Sequence, residues 1–322
     1  MLLYTSPADH EVMTLDTVVR LLKSVADESR LRLLAISARG EFTVSDFVQI
    51  LGQSQPRVSR HLKILCDADL LERVREGNWV FYRLVNSAEI RSLTEHMLAL
   101  IPASDTRARS DQLRLNHIKD ARLDAAEQYF QQAASEWVKL RSLHVEDLDV
   151  ERALCELVGK EMPETLLDIG TGTGRILEIL APFLTSGEGV DLSPEMLSVA
   201  RTNLDKPGLE HCRVRQGNMY HLPYEDAAFD YVTLHQVLHF AGQPADVVAE
   251  ISRVLRPAGT AVIIDFAPHN YEEFREEFQH RRLGFSDEEI HGLLSQFHLK
   301  ASSPVKFPGR ELTVSLWTGR KT

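Results

Sequence analysis

The 322-residue sequence has few cysteines and no long apolar run, and both absences limit the classes of protein it can be. Its three cysteines, Cys66, Cys155 and Cys212, are widely spaced and odd in number, which argues against a disulfide framework and indicates a reducing compartment. No apolar segment approaches the roughly 20 residues that span a bilayer. The first residues, MLLYTSPADHEVMTL, lack a basic region followed by an apolar core, so we expect no export signal. These observations predict a cytoplasmic protein without a membrane partner.

Positive charge is also scarce, but it is unevenly distributed. The chain carries 36 Lys+Arg against 47 Asp+Glu, a formal net charge of −11. Residues 1–105 carry 12 basic and 14 acidic side chains, and the rest of the chain carries 24 and 33. Within residues 53–83, six basic residues outnumber four acidic ones. Such a local excess can still bind DNA, because the field near the phosphates decides the interaction.

The first hundred residues have the pattern of a helix–turn–helix followed by a hairpin. Apolar residues recur at helical spacing from Leu15 to Ala38, and a second amphipathic segment, TVSDFVQIL, ends at Gly52. In the next segment, GQSQPRVSRHLKIL, Ser54 is the expected N-cap and Pro56 lies in the first helical turn. The segment ERVREGNWVFYRLV alternates around Gly77–Asn78, which predicts a two-stranded hairpin.

This order of elements predicts a winged helix that binds DNA. The second helix of such a domain enters the major groove, and the hairpin can contact phosphates. We expect Val58, Leu62 and Leu65 to form the buried side of that helix. The predicted DNA contacts are Ser54, Gln55, Arg57, Ser59, Arg60, His61 and Lys63 on the helix, with Arg73 and Arg75 in the hairpin. The alternative is a solvated helix face and a hairpin without a nucleic-acid role.

These residues resemble the ArsR family of bacterial winged-helix repressors over approximately residues 15–101. The strongest parts of the match are DESRLRLL, SQPRVSRHLKIL and REGNWVFYRL. The resemblance implies a homodimer whose core is formed by the first helix and the helix after the hairpin, Ser87 to Ile101. It also implies a palindromic operator in double-stranded DNA.

One departure from that family concerns metals. Metal-sensing members have a cysteine pair in the helix before the recognition helix, where this sequence has Thr43 and Ser45, and neither binds a soft metal well. Glu89 and His96 are only a weak counterpart of the carboxylate–histidine set that other members carry on the last helix. We therefore expect no metal site and a different effector.

A connector follows the predicted winged helix. Pro102 and the polar run IPASDTRARSD interrupt the chain, and a helical pattern then extends from about Ser110 to Leu143. It is either a spacer helix that packs its apolar stripe on the next domain or a segment whose Tyr129, Phe130 and Trp137 help to cover a ligand.

A glycine-rich turn follows a predicted buried strand in TLLDIGTGTGRILEIL. Gly170, Gly172 and Gly174 lack side chains, which lets the backbone approach a ligand closely. Asp191 follows Gly172 by nineteen residues at the next strand end, where a carboxylate can accept both ribose hydroxyls of an adenosine. Asp168, just before the turn, suits a ligand with an ammonium group and no phosphate. These residues favour S-adenosylmethionine or S-adenosylhomocysteine over NAD.

With the segment VRQGNMYHLPYEDAAFDYVTLHQVLHF, residues 124–322 resemble class I methyltransferases, most closely the ubiquinone/menaquinone-biosynthesis type. By that resemblance Asn218 and Met219 border the adenine, and His235 lines the methionine end of the pocket. The family usually has Asp where this chain has Asn218, whose amide oxygen can still accept from the adenine amine. The predicted cofactor-binding set is Asp168, Gly170, Gly172, Gly174, Asp191, Leu192, Met196, Asn218, Met219 and His235.

Histidines near the predicted pocket leave the chemistry open. His235 and His239 are four residues apart, but no third metal ligand is evident, so a polar lining is preferred to a metal site. Any of His235, His239 and His269 could act as a base, and their spacing selects none of them. The cysteines do not form the cluster that arsenite methylation would need, which excludes that activity.

The predicted fold class is α/β with an α-rich N-terminal part. Residues 1–101 form the winged-helix DNA-binding and dimerisation domain, 102–150 the helical connector, and 151–322 a Rossmann-like class I methyltransferase domain. The whole chain resembles fused regulators that respond to S-adenosylhomocysteine, which implies a repressor with a nucleoside effector. Two alternatives stay open: an active methyltransferase on a small-molecule acceptor that controls its own gene, and a DNA-binding protein whose C-terminal domain only stabilises the dimer.

Overall fold

The computed structural model describes residues 14–76, 79–85, 87–121, 147–276 and 280–322. Two compact units divide the chain, residues 1–118 and 119–322. In the described ranges no helix has the length and apolar character needed to cross a membrane. The predicted turn at Gly77–Asn78 and the aromatic residues Tyr129, Phe130 and Trp137 lie outside the described residues.

The first unit is a helical domain with a small antiparallel sheet. Its elements are α1 (Leu15–Val25), α2 (Glu28–Ser37), β1 (Phe42–Thr43), α3 (Val44–Leu51), α4 (Gln55–Asp67), β2 (Leu71–Glu76), β3 (Trp79–Leu84), α5 (Ala88–Ala99) and most of α6, whose described part is 106–121 and passes the unit boundary at Ile118. The strand order is β1-β3-β2, and α3, α4, β2 and β3 form the predicted winged helix.

Local sequence explains where these helices begin and end. Asp27 caps α2 by accepting from the N–H of Arg30 at 3.1 Å. At α3, Thr43 and Asp46 form a reciprocal capping box, and Gly52 ends the helix in the left-handed region with φ 64°. Apolar residues at helical spacing on α1 to α4 then close one core, which contains Leu33, Leu34, Phe47, Ile50, Val58, Leu62 and Leu65.

The start of the predicted connector packs on this first unit. Leu115 of α6 is buried in the same core as the winged-helix residues. Asp111 forms an ion pair with Arg32 of α2, and Arg114 donates from Nη1 to the carbonyl oxygen of Ile50 at 2.8 Å. Helix α6 is therefore held against the helices that carry the helix–turn–helix.

The second unit is an α/β domain. Its helices are α7 (Asp147–Glu161), α8 (Arg175–Leu180), α9 (Pro194–Asn203), α10 (Pro244–Val254), α11 (Glu273–Glu276) and α12 (Asp287–Gln296). Its strands are β4 (Thr165–Ile169), β5 (Ser186–Asp191), β6 (Cys212–Gln216), β7 (Phe229–His235), β8 (Leu255–Phe266), β9 (Leu299–Ala301), β10 (Val305–Pro308) and β11 (Thr313–Lys321).

The strand order β10-β11-β8-β7-β4-β5-β6 confirms the predicted α/β class. Strands β4 to β8 are parallel, and β11 joins β8 antiparallel. Successive residues of the inner strands enter different cores; Leu166 lies in one apolar cluster and Leu167 in the other. The sheet is thus covered on both faces, as continuous apolar strands require. The order of strands reverses at β4, so a ligand crevice is expected at the carboxyl ends of β4, β5 and β7.

Candidate functional site

A carboxylate at the end of β5 is fixed by two backbone groups. The N–H of Gly172 donates to Oδ2 of Asp191 at 2.9 Å, and the N–H of Ser193 donates to Oδ1 at 2.9 Å. Each carboxylate oxygen has a further lone pair, so Asp191 can accept one more hydrogen bond at each oxygen. The side chain is therefore oriented for two neighbouring hydroxyl groups, as on a ribose.

Gly170 and Gly172 lack a side chain for different structural reasons. Gly170 has φ 69°, and a Cβ atom placed on it would lie 2.3 Å from Cγ2 of Val237. Its missing side chain is what lets the segment after β7 pack against the turn. Gly172 has φ 52°, and a Cβ atom placed there would meet nothing within 4 Å. The space above Gly172 is open, so a ligand can approach its backbone.

Asp168 is buried at the end of β4, with 1% of its surface exposed. Its Oδ1 atom accepts from the hydroxyl of Thr233 at 2.7 Å, whereas Oδ2 has no hydrogen-bond partner among the described residues. Burial raises the pKa of this carboxyl to about 7; the nearby hydroxyls of Thr233 and Thr171 oppose the shift, and the charge of Asp191 contributes to it. An orphaned buried carboxylate oxygen fits a cationic ammonium group as its missing partner.

The remaining predicted cofactor residues lie after the neighbouring strands. Asn218 follows β6, and its Oδ1 already accepts from the N–H of Tyr220 at 3.0 Å, which leaves one lone pair for a ligand. Met219 packs at the edge of one sheet core, and His235 is the last residue of β7. Leu192 is exposed beside Asp191, and Met196 lies in the first turn of α9. All lie at or after the carboxyl ends of parallel strands.

A buried histidine–carboxylate pair lies at this sheet edge, and the sequence analysis named His239 as a possible base without identifying Asp265 as its partner. His239 and Asp265 are 3% and 0% exposed, and the Nδ1 atom of His239 lies 2.8 Å from Oδ1 of Asp265. The backbone N–H of His239 also donates to Oδ2 of Asp265 at 3.1 Å. The residues are 26 positions apart, so no local pattern signals the pair. Among the described residues no group of three or more His, Cys, Asp or Glu side chains could hold a metal ion.

In the first unit, α4 presents a basic face. Arg57, Arg60 and Lys63 are exposed, together with Gln55, and Ser59 is half-buried. Val58, Leu62 and Leu65 are fully buried, as predicted. Near the start of the helix, Arg57 donates from Nη2 to the hydroxyl of Ser29 at 3.2 Å.

Two details of α4 differ from the sequence-based expectation. Ser54 occupies the N-cap position, but its side chain makes no capping hydrogen bond; Pro56, at the second helical position, lacks one of the two N–H groups that a cap can bind. His61 does not belong to the exposed face, which corrects its prediction as a DNA contact. It is 9% exposed, its Nδ1 atom lies 3.8 Å from Oδ1 of Asp27, and burial lowers its pKa.

The hairpin exposes two of its arginines. Arg73 and Arg75 are exposed on either side of the buried Val74. Arg83, by contrast, is buried and donates to Glu41 and to Glu72 at 2.7 Å each. Arg83 therefore stabilises the hairpin, whereas the side chains of Arg73 and Arg75 are exposed to solvent.

Comparisons with known families match one family model in each unit. A family model described as bacterial regulatory protein, arsR family, matches residues 27–73, and a model described as methyltransferase domain matches residues 167–263.

Individual relatives divide in the same way. The arsenical resistance operon repressor of Escherichia coli is 46% identical over 67 residues, which cover 20% of this chain and 57% of the repressor. The demethylmenaquinone methyltransferase of Thermus thermophilus is 33% identical over 124 residues, which cover 38% of this chain and 56% of that enzyme. The uncharacterized methyltransferase YcgJ of Bacillus subtilis is 33% identical over 106 residues, which cover 33% of this chain and 42% of YcgJ. The chain spans about half the length of the curated relatives it matches.

Proposed function

This chain joins an arsR-family DNA-binding domain to a class I methyltransferase domain, and we propose that it is a dimeric transcriptional repressor whose C-terminal domain binds S-adenosylmethionine or S-adenosylhomocysteine as its effector. Two features found together in one chain support the proposal. One is the exposed basic face of α4, and the other is the Asp191 carboxylate held above the open backbone of Gly172.

The residues at the sheet edge fit an adenosine compound with an ammonium group. Asp191 would bind the two ribose hydroxyls, and the orphaned oxygen of Asp168 would bind the ammonium. Asn218 and Met219 would border the adenine, and His235 would lie near the methionine end. When S-adenosylmethionine is bound, it supplies an electrophilic methyl group. The glycines, Leu192 and Met196 would complete the wall of the site.

The DNA side of the proposal rests on exposure and charge. Arg57, Arg60 and Lys63 would enter the major groove with Gln55, and Ser54 and Ser59 would contact the backbone or bases nearby. Arg73 and Arg75 of the hairpin would contact phosphates. His61 is left out of this interface because it is buried.

A dimer accounts for apolar side chains that the first unit leaves exposed. Leu15, Val19 and Leu22 lie along one side of α1 at spacings of four and three residues, and all three are exposed. Leu100, directly after α5, is exposed as well. An apolar stripe of this kind is covered in a twofold interface, which would place two copies of α4 on the half-sites of a palindromic operator.

Control by the effector follows from a difference between the two nucleosides. S-adenosylhomocysteine lacks the methyl group and the sulfonium charge, so a pocket can prefer either compound. If the pocket binds one nucleoside more tightly in the DNA-free protein than in the DNA-bound protein, or the reverse, nucleoside binding and operator binding are coupled. Such coupling is typically about 1–3 kcal/mol, which corresponds to about 5–150-fold in operator affinity.

The test is operator binding at fixed salt, with DNA selected from a random pool, without ligand and with each nucleoside in turn. We expect one nucleoside to change the operator affinity by about fivefold or more. Asp191→Ala should abolish the response and keep DNA binding. Asp149→Asn removes one exposed carboxylate of the same domain and should keep the response. If neither nucleoside changes the affinity of the unaltered protein, the proposal is wrong, and a C-terminal domain that only stabilises the dimer is favoured.

A second candidate function has one specific observation in its favour. The buried His239–Asp265 pair lies at the same sheet edge as the proposed nucleoside site. It favours an active methyltransferase on a small-molecule acceptor.

A further inference from the structure

A buried serine at the start of α2 joins that helix to the helix–turn–helix. Ser29 is 2% exposed, and its Oγ atom accepts from Nε2 of Gln53 at 2.9 Å and from Nη2 of Arg57 at 3.2 Å. Gln53 lies in the turn between α3 and α4, and Arg57 lies in the first turn of α4. A hydroxyl oxygen has two lone pairs, so these two donors occupy its accepting capacity. One buried hydroxyl therefore contacts both the turn and the helix that is proposed to enter the major groove.

Helix α2 is a fixed support for these contacts, because Leu33 and Leu34 bury it in the core of the first unit. Arg32 of the same helix donates from Nη2 to the carbonyl oxygen of Leu51 at 3.4 Å, one residue before the glycine that ends α3. The turn is thus held to α2 on both sides of that glycine. The position of the Arg57 side chain is set by a helix other than its own.

The three cations on the exposed face of α4 differ in this respect. Arg57 is bonded to another element, whereas no residue in the described ranges forms a hydrogen bond or an ion pair with Arg60 or Lys63. An exposed arginine gains little stability from a neutral acceptor, because water offers it equivalent partners, and holding the side chain costs rotamer freedom. Stability of the fold therefore does not account for the Arg57 contact, which indicates a role in recognition.

The geometry of the guanidinium leaves Arg57 able to read a base. Its five N–H groups include two forks of parallel donors, and the two hydrogens on Nη2 belong to different forks. The bond to Ser29 uses one of these hydrogens, so one complete fork remains for a partner outside the protein. In the major groove such a fork matches the O6 and N7 atoms of guanine.

We propose that Ser29 is a positioning residue for operator recognition, because its hydroxyl holds Arg57 ready to bind the O6 and N7 atoms of a guanine. The inference rests on the DNA side of the proposed function. Gln53 contacts the same oxygen from the turn, so the Arg57 side chain is ordered before DNA is bound. Ordering a long side chain in advance contributes about two- to tenfold to affinity. The gain is confined to the operator, since every duplex offers phosphates but only the correct sequence has a guanine at this position.

The test measures binding of the full-length protein, at fixed salt, to three kinds of duplex: an operator selected from a random pool, variants that each replace one guanine, and an unrelated sequence. We expect the replacement of one G·C pair to weaken binding of the unaltered protein by about fivefold or more, and Arg57→Ala to lose that preference. Ser29→Ala should weaken operator binding by about two- to tenfold and reduce the same preference. Its affinity for the unrelated duplex should not change, because Arg57 keeps its charge.

Ser37→Ala is the matched control. Ser37 lies on the same helix, is 3% exposed and has an Oγ atom without a hydrogen-bond partner in the part of the chain that the structure describes. This variant should bind every duplex as the unaltered protein does, and Ser29→Thr, which keeps the hydroxyl, should retain the guanine preference. Gln53→Ala leaves α2 unaltered and should reduce the preference in the same direction as Ser29→Ala, so the test does not depend on how stably Ser29→Ala folds.

A double-mutant cycle separates positioning from a general structural effect. If Ser29 acts through Arg57, Ser29→Ala should change operator affinity little once Arg57 is replaced by alanine. The inference is overturned if the effects of the two substitutions add, if Ser29→Ala and Gln53→Ala leave the preference intact, or if Ser29→Ala weakens operator and unrelated duplex equally. A protein that binds no selected DNA contradicts both proposals, whereas operator binding and a nucleoside response without a role for Ser29 contradict this one alone.

Discussion

Arg32 of α2 makes two hydrogen bonds to Asp111 of α6, from Nε to Oδ2 at 2.6 Å and from Nη2 to Oδ1 at 2.7 Å. The Nη2 atom also donates to the carbonyl oxygen of Leu51 at the end of α3. The hydrogen bonds to the Asp111 carboxylate raise the pKa of the Arg32 guanidinium above its usual value. One paired arginine therefore joins the connector helix to the end of the first helix of the helix–turn–helix.

Asp111→Asn should loosen this junction. Removing one partner of a largely buried ion pair leaves the arginine without its counter-charge, at a cost of about 3–5 kcal/mol. We expect faster hydrogen exchange in residues 106–121 and a weaker operator response to the nucleoside. The matched control is Asp69→Asn, which removes the exposed partner of Arg20 and should have almost no effect. Unchanged exchange in α6 would show that Asp111 does not hold the helix.

Gly172→Ala should abolish nucleoside binding while the domain stays folded. A Cβ atom there meets nothing in the protein, so the cost is about 1 kcal/mol of backbone strain at φ 52°. The new methyl group would occupy the space through which the ligand approaches. Gly208→Ala introduces the same type of strain at φ 90° in an open turn and should leave binding intact. Calorimetry measures the nucleoside affinity of both variants, and equal affinities would contradict the proposed site.

Gly170→Ala should act differently, because its Cβ atom would lie 2.3 Å from Val237. The segment after β7 must move, so we expect the C-terminal domain itself to lose stability. Thermal unfolding of the full chain should show a lower transition temperature for Gly170→Ala than for Gly172→Ala. The same transition temperature for both would mean that the contact with Val237 is relieved at little cost.

Binding of the nucleoside should release protons near neutral pH. The pKa of Asp168 is about 7 in the free protein, so at pH 7 about half of the molecules carry a proton there. An ammonium group favours the ionised carboxylate and lowers this pKa, so affinity should rise with pH from 6 to 8 and about half a proton should leave at pH 7. Calorimetry in buffers of different ionisation enthalpy measures this release. Asp168→Asn should remove it, and buffer-independent heats from the unaltered protein would exclude the ammonium contact.

Arg60→Ala should weaken operator binding and its salt dependence. If the guanidinium contacts a phosphate, the slope of log affinity against log salt falls by about 1. Arg109→Ala removes an exposed positive charge from α6 and should leave the slope unchanged. Fluorescence anisotropy across a salt series gives both slopes. Equal slopes for the two variants would remove Arg60 from the phosphate contacts.

Local patterns predicted much of this structure. The spacing of apolar residues located α1 to α4, and the alternate glycines with Asp191 located a turn whose Gly172 N–H does reach the Asp191 carboxylate. The same helical spacing could have identified His61 as buried, since it lies three residues after Val58 and four before Leu65. Because histidine is polar and can carry a positive charge, the sequence analysis placed it on the exposed side of the helix.

Other features depend on contacts between distant segments. Arg32 and Asp111 are 79 positions apart. Their pairing depends on how α6 packs, and the local sequence around neither residue predicts it. The His239–Asp265 pair depends on the register of β7 and β8, in which His235 is opposite Ile264. A single sequence contains no signal for that register, so one histidine could not be selected from three.

Arg83, bridged to Glu41 and Glu72, has a consequence for how the protein would leave DNA. Glu41 precedes β1 and Glu72 belongs to β2, so the bridge connects the hairpin to the chain entering the helix–turn–helix. We therefore expect the hairpin and the helix–turn–helix, the two elements proposed to contact DNA, to move together. A signal that tilts α3 and α4 would lift the hairpin in the same motion, and half-engaged intermediates on the operator would be short-lived.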